Sequence, residues 1–227
     1  MKLLVLSDNH NDIENMFTFI DVLSEHEFDV IIYAGDFSDI NTPKGFTQED
    51  VAKIIIEELR IFKKPVVAVP GNNDDKNIID LIDKENISVH GKGKIINNVG
   101  FYGFGGAQTP FNTSYEPKDE EIKKGLERAF IDVMKVNKKV QITHTPPIDT
   151  KLDYITTGMH VGSRVVRNFI EKYSPIIAVS AHIHEARGID YINNTLLINP
   201  GRFAEGYVGF VDISKERPEA KIINLIE

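Results

Sequence analysis

The sequence predicts an α/β fold, and three observations predict it. First, short apolar runs, Leu3-Leu4-Val5-Leu6 within Lys2 to Ser7, Asp29 to Ala34 (DVIIYA) and Pro65 to Val69 (PVVAV), are unbroken by polar residues and too short for helices. Such runs read as strands covered on both faces. Second, helical spacing fills the intervals between them. Third, each run stops at a short polar motif: Asp8-Asn9-His10, Gly35-Asp36-Phe37-Ser38-Asp39, and Pro70-Gly71-Asn72-Asn73-Asp74. Strand and helix in alternation with short connections give a parallel sheet with helical crossovers, whose functional crevice lies outside the carboxyl ends of the strands.

The elements follow in order. Ile13, Met16, Phe17, Ile20 and Leu23 recur at helical spacing to about His26, with Asn11 or Asp12 as the cap. Thr47 caps a second helix that runs to about Phe62. A short helix, Asn77 to Lys84, precedes a change of texture. Val89, Lys94 to Ile96 and Gly100 to Phe104 read as short strands, the last two paired around Asn97-Asn98. Gly103 to Gly106 lacks the strand-then-helix context of a dinucleotide fingerprint. It reads as a turn that keeps backbone close to its neighbours, opening a rim or lid loop through Pro110 and Pro117. Lys118 to Val136 is amphipathic, and Lys139 to Thr143 is a strand ending in His144-Thr145-Pro146-Pro147. A polar loop carrying His160, Gly162 and Ser163 leads into a helix to about Tyr173. The strand Ile176 to Ser180 then ends in Ala181-His182-Ile183-His184. Arg187 to Glu227 reads as an antiparallel meander with turns at Asn193-Asn194, Asn199-Pro200-Gly201 and Glu216-Arg217-Pro218. No linker or low-complexity segment interrupts the chain, so residues 1–227 are expected to form one domain.

Composition narrows the chemistry. With no cysteine, disulfides, thiolate metal sites and cysteine nucleophiles are excluded, and any metal must be held by carboxylate, amide and imidazole. A formal charge of −8 argues against broad electrostatic grip on nucleic acid. The apolar run before Asp8 is too short for a signal-peptide core and no stretch reaches the length of a membrane span, so a cytoplasmic protein is expected.

Five strands are thus expected to deliver Asp8 and His10, Asp36, Asn72, His144, and His182 with His184 to one edge. A lone DxH reads equally as a turn aspartate capping a helix beside a surface histidine. Four of the seven histidines at such strand ends are poorly explained that way. Seven nitrogen and oxygen donors exceed one tetrahedral site, and they suit two divalent ions that share a carboxylate.

These motifs, in order and spacing, resemble those of the calcineurin-like metallophosphoesterases: DxH, GDxxD, GN(H)(D/E), H and GHxH. The resemblance runs from Met1 to about Gly201. It implies a four-layer αββα fold, two packed mixed β-sheets flanked by helices, with a dinuclear centre at the sheet edge. It also implies that Asp8, His10 and His184 hold one metal, that Asn72, His144 and His182 hold the other, and that Asp36 bridges them. Two such ions would make a hydroxide available near neutral pH for in-line attack on phosphorus. Manganese leads as the metal, with nickel, iron, zinc or cobalt as alternatives.

Two departures matter. Asn73 stands where many members carry the histidine that serves the leaving group, and asparagine has no proton to supply. Asn73 is expected either to bind a substrate oxygen, with Asp74 orienting it or supporting it from behind, or to cap the following short segment. Ala181 for glycine before the paired histidines is a small change. His160 and Ser163, ahead of a helix amino terminus, are candidate phosphate contacts. The plain alternative, that Ser163 is only an N-cap, is preferred. Arg202 could neutralise a phosphate or be solvated. The expected function is a phosphodiesterase of small substrates. Phosphomonoesterase and non-catalytic scaffold are the alternatives, and the complete ligand set speaks against the scaffold. The carboxyl-terminal strands offer a pairing edge for a homodimer.

Overall fold

A computed structural model describes residues 1–226 of the protein. The elements are β1 (Lys2–Leu6), α1 (Ile13–Leu23), β2 (Val30–Tyr33), α2 (Gln48–Arg60), β3 (Val66–Ala68), α3 (Lys76–Lys84), β4 (Gly93–Ile96), β5 (Val99–Phe104), α4 (Asp119–Val133), β6 (Lys138–Thr143), α5 (Arg164–Tyr173), β7 (Ile177–Val179), β8 (Gly188–Ile192), β9 (Thr195–Asn199), β10 (Tyr207–Asp212) and β11 (Glu219–Asn224). They build two mixed sheets, a five-stranded one in the order β11-β10-β1-β2-β3 and a six-stranded one in the order β4-β5-β6-β7-β9-β8.

The unbroken apolar strands are explained by two-sided burial. In β1, Leu3 and Val5 point between the sheets, where they meet Val140, Ile142, Val179 and Ile198 of the opposite sheet. The alternate residues Leu4 and Leu6 face the other way, onto Met16, Ile20, Val51 and Ile55 of α1 and α2. The six-stranded sheet repeats the arrangement: Tyr102, Ala178 and Leu197 face Leu126, Ala129, Val166 and Phe169 of α4 and α5. The result is the expected layering of helix, sheet, sheet, helix. Leu4 is fully buried, so its truncation to alanine should cost about 2–5 kcal/mol.

Local signals set the boundaries. Asp12 caps α1, Thr47 and Asp50 form a reciprocal capping box on α2, and Ser163 caps α5. Asn97 and Asn98 both adopt positive φ, 48° and 62°, which a two-residue hairpin between twisted strands requires. At Gly125 of α4, a Cβ would fall 1.9 Å from Phe104 Cδ2, so glycine lets the helix lie close on β5.

The carboxyl-terminal segment corrects the expected meander. β8 and β9 form a hairpin, but β9 pairs parallel to β7 in the six-stranded sheet. The chain then crosses at Asn199-Pro200-Gly201 into the other sheet, where β10 pairs antiparallel with β1 and β11 closes on β10. Turn residues mark where a chain reverses, not which sheet receives it. Glu227, included in the expected meander, lies outside the described residues. Among the described residues no helix is long and apolar enough to cross a membrane.

Candidate metal centre

The motif loops leave the strands by a left-handed step. Asp8 (φ 56°), His10 (49°), Asp36 (54°) and His182 (71°) all occupy a region that ordinary residues avoid, at about 1–2 kcal/mol each. Neighbouring backbone holds them there: Asp8 N donates to Gly35 O at 2.9 Å, and Asn9 N donates to Asp36 O at 2.9 Å. Gly71 makes room for the centre, because a Cβ there would stand 1.9 Å from Asp36 Oδ1.

The structure brings the expected donors of both sheets to one place. Asp8, His10 and His184 form one group and Asp8, Asp36 and His144 a second, the donor atoms of each lying within 4.8 Å of one another. His10 Nε2 is 3.2 Å from His184 Nε2, and His184 Nε2 is 3.4 Å from Asp8 Oδ1. Asp36 Oδ2 lies between the groups, 3.5 Å from His10 Nε2 and 3.4 Å from His144 Nε2. Asn72 Oδ1 lies 3.0 Å from His144 Nε2, and the His182 ring is 5.2 Å from that of His144. Asp8 is thus common to both groups, a centrality its place in the motif does not reveal. His144 Nδ1 donates to Ala34 O at 2.7 Å, which aims Nε2 at the centre.

The electrostatics fit a cation. Asp8 is fully buried, and neither carboxylate oxygen has a hydrogen-bond partner among the described residues. An unpaired buried carboxylate is costly, so both oxygens are expected to meet positive charge. Burial works to raise Asp8 and Asp36, yet His184 and His144 hold the first below its ordinary value, and His144 and His10 hold the second there. Burial would lower His144, but Asp36 and Asp8 outweigh it and raise this imidazole to about 9. His182 is pushed down to about 4 by burial and by the neighbouring His144 charge. Metal binding would replace the His144 proton. The carboxylate, amide and imidazole set suits divalent metals.

Asn73 is engaged by the centre itself. Its backbone N donates to Asp36 Oδ1 at 2.9 Å and its side-chain Nδ2 to Oδ2 at 2.7 Å. Asp75, not Asn73, caps α3. Asp74 accepts from Gly71 N at 2.7 Å and Ser38 N at 3.2 Å, tying two motif loops together. Burial and the Asp36 charge raise its carboxyl to about 7. One support was not foreseen: Asn72 Nδ2 donates to Thr113 Oγ1 at 3.2 Å, and Asn72 O accepts from Tyr115 N at 2.8 Å. Glu116 in turn accepts from the Thr113 hydroxyl at 2.7 Å. Such a partner, 41 residues away, leaves no mark in local spacing.

Of the three substrate candidates, the structure ties only Arg202 to this cluster, through its charge on His184. His160 Nδ1 bonds Asp153 Oδ1 at 2.8 Å, and the residue is not among the clustered donors. Ser163 Oγ accepts from Val166 N at 3.3 Å, as an N-cap does. Arg202 stands 3.5 Å from Glu205, has a buried Nε without a partner among the described residues, and lies near enough to His184 for its charge to oppose that imidazole's protonation.

Comparison with known proteins bears on the family and the fold. The family model for calcineurin-like phosphoesterases matches residues 1–186. An uncharacterised protein of Methanocaldococcus jannaschii, MJ1162, is 38% identical over 178 residues, covering 76% of this chain and 77% of that protein. The crystal structure of TT1561 from Thermus thermophilus superposes with a TM-score of 0.71 at 20% identity, over 99% of this chain and 98% of that one. A dimetal phosphatase from Danio rerio gives a TM-score of 0.69 at 11% identity, over 100% and 97%. At such identities the two structures establish a shared fold, and the family rests on the matched model: the chain belongs to the calcineurin-like phosphoesterases, metal-dependent hydrolases of phosphoesters.

Proposed function

We propose that the protein is a phosphodiesterase acting on small substrates through two divalent ions, manganese foremost, held by Asp8, His10, Asp36, Asn72, His144, His182 and His184. The observation that carries this reading is the orphaned, buried Asp8 carboxylate shared by two overlapping donor groups. When bound, a metal pair would acidify a water and neutralise charge on a phosphate ester. The chain's own residues do the rest. His144, held through its Nδ1 by Ala34 O, presents Nε2 without reorganisation. Asn73 grips Asp36 through two N–H groups, which keeps the Asp36 carboxylate rigid. Arg202, whose charge acts on His184, offers a cation for a non-bridging phosphate oxygen. Asn73 has no proton for a leaving group, which supports a diester over a monoester substrate.

The test is turnover of bis(4-nitrophenyl) phosphate and 4-nitrophenyl phosphate by metal-stripped protein, titrated with manganese and with nickel. Metal-dependent cleavage that favours the diester is expected. Preference for the monoester would overturn the diesterase reading, and inertness toward both with two metals bound would overturn the hydrolase reading.

A further inference from the structure

Among the expected donors, Asn72 alone has two ends of opposite character. Its amide oxygen carries lone pairs for a divalent ion, and its amide nitrogen offers none. A half-turn of the amide would exchange them. Asn72 is 2% exposed, so bulk water does not choose between the two orientations. Nor does the centre choose by itself. The turned amide would aim an N–H at His144 Nε2, which lies 3.0 Å from the present oxygen. In the neutral imidazole, with Nδ1 donating to Ala34 O, the Nε2 lone pair would accept that N–H.

The choice is made on the other side of the amide. Asn72 Nδ2 lies 3.2 Å from Thr113 Oγ1, which lies 2.7 Å from Glu116 Oε1. The same carboxylate oxygen accepts from Thr113 N at 2.6 Å and from the Thr109 hydroxyl at 2.6 Å. An ionised carboxylate only accepts, so the single hydroxyl proton of Thr113 goes to Glu116 and a lone pair is left facing Asn72. That lone pair attracts the amide nitrogen and repels the amide oxygen. The hydrogen bonds from Thr109 and Thr113 hold the Glu116 carboxyl down to about 2, so it stays an acceptor through the neutral range. Backbone bonds keep the parts in register: Tyr115 N donates to Asn72 O at 2.8 Å, and Gly106 N donates to Pro70 O at 2.9 Å.

We infer that Thr113 is a positioning residue whose hydrogen-bond polarity, set by Glu116, turns the Asn72 amide oxygen toward the metal centre and keeps it there. The inference rests on the reading of Asn72 as a metal ligand. The loop after β5 thereby acts on the centre from outside all five strand-end motifs.

The test uses the full chain, stripped of metal and titrated with manganese against a competing chelator. Wild-type protein should take up two ions. In Thr113→Val, which keeps the shape of the side chain without the hydroxyl, one site should lose about 10–100-fold in affinity, and Glu116→Ala should do the same. Thr113→Ser retains the hydroxyl and should bind as the wild type does. Two measurements on the metal-free protein separate amide orientation from loop structure. Nuclear Overhauser contacts should join the Asn72 side-chain NH2 to Thr113 in the wild type and to His144 in Thr113→Val, while hydrogen exchange at Tyr115 N–H stays as slow as in the wild type. Unchanged affinity in Thr113→Val or in Glu116→Ala overturns the inference. An equal loss in Thr113→Ser, or faster Tyr115 exchange accompanying the loss in Thr113→Val, overturns it too, since the hydroxyl would then only hold the loop. If the wild type takes up fewer than two ions, the reading of the centre falls and this inference with it.

Discussion

Replacing Asn73 by alanine separates two roles for the residue that departs most from the family pattern. If it binds a substrate oxygen, its loss should raise KM and leave metal affinity alone. The structure instead gives its amide a buried anionic partner, Asp36 Oδ2, at 2.7 Å. A hydrogen bond to a charged acceptor is worth about 1.5–3 kcal/mol. The backbone N–H to Oδ1 survives the substitution, so Asp36 should loosen rather than leave. That range corresponds to a roughly 10–150-fold change in an equilibrium, close to the 10–100-fold effect typical of groups that orient metal ligands. Titrating metal-stripped wild-type and Asn73→Ala protein with manganese against a competing chelator should show the weaker site losing about 10–100-fold in affinity. At saturating manganese KM for an aryl diester should hardly change. Unchanged metal affinity with a raised KM would refute this account and return Asn73 to the substrate.

Four further outcomes follow from the same geometry. Gly71→Ala should abolish tight metal binding while the chain still folds, because its Cβ falls 1.9 Å from Asp36 Oδ1; calorimetric metal titration checks it. Asp74→Ala strands the buried N–H groups of Gly71 and Ser38 at about 1–3 kcal/mol each, so Tm should drop on the order of 10 °C. Chelation should lower Tm by a similar amount, since ligand at about 1,000 times its Kd contributes about 4 kcal/mol, and Asp8→Ala should erase the difference between metal-loaded and stripped protein. His90, pushed down to about 4 by burial and by Arg128 and Lys92, is neutral in the folded chain, where its Nδ1 accepts from Gly105 N. Between about pH 6.5 and 4 only the unfolded chain takes up this proton, so stability is lost as pH falls through that window, by about 3 kcal/mol. Urea unfolding at pH 7 and pH 4 should show a smaller loss in His90→Phe.

The sequence by itself marked the helices, most of the strands and the residues expected as donors. Burial on both faces demands an unbroken apolar run, as in Leu3 to Leu6, and the strand-end motifs follow such runs within a few residues. Caps such as Thr47 and the Asn97-Asn98 turn are equally local, and so equally legible. Tertiary structure alone decided which sheet each carboxyl-terminal strand joins, because β9 is placed by its parallel neighbour β7 and β10 by its antiparallel neighbour β1. It alone decided that Asp8 belongs to both donor groups, that Asn73 serves Asp36, that Thr113 steadies Asn72, and that Asp153 holds His160. The physical reason is the same throughout. Periodicity and turn chemistry report what a residue needs from its own element, whereas a hydrogen bond or shared charge across 37 or 41 residues exists only once two loops have been brought to the same edge.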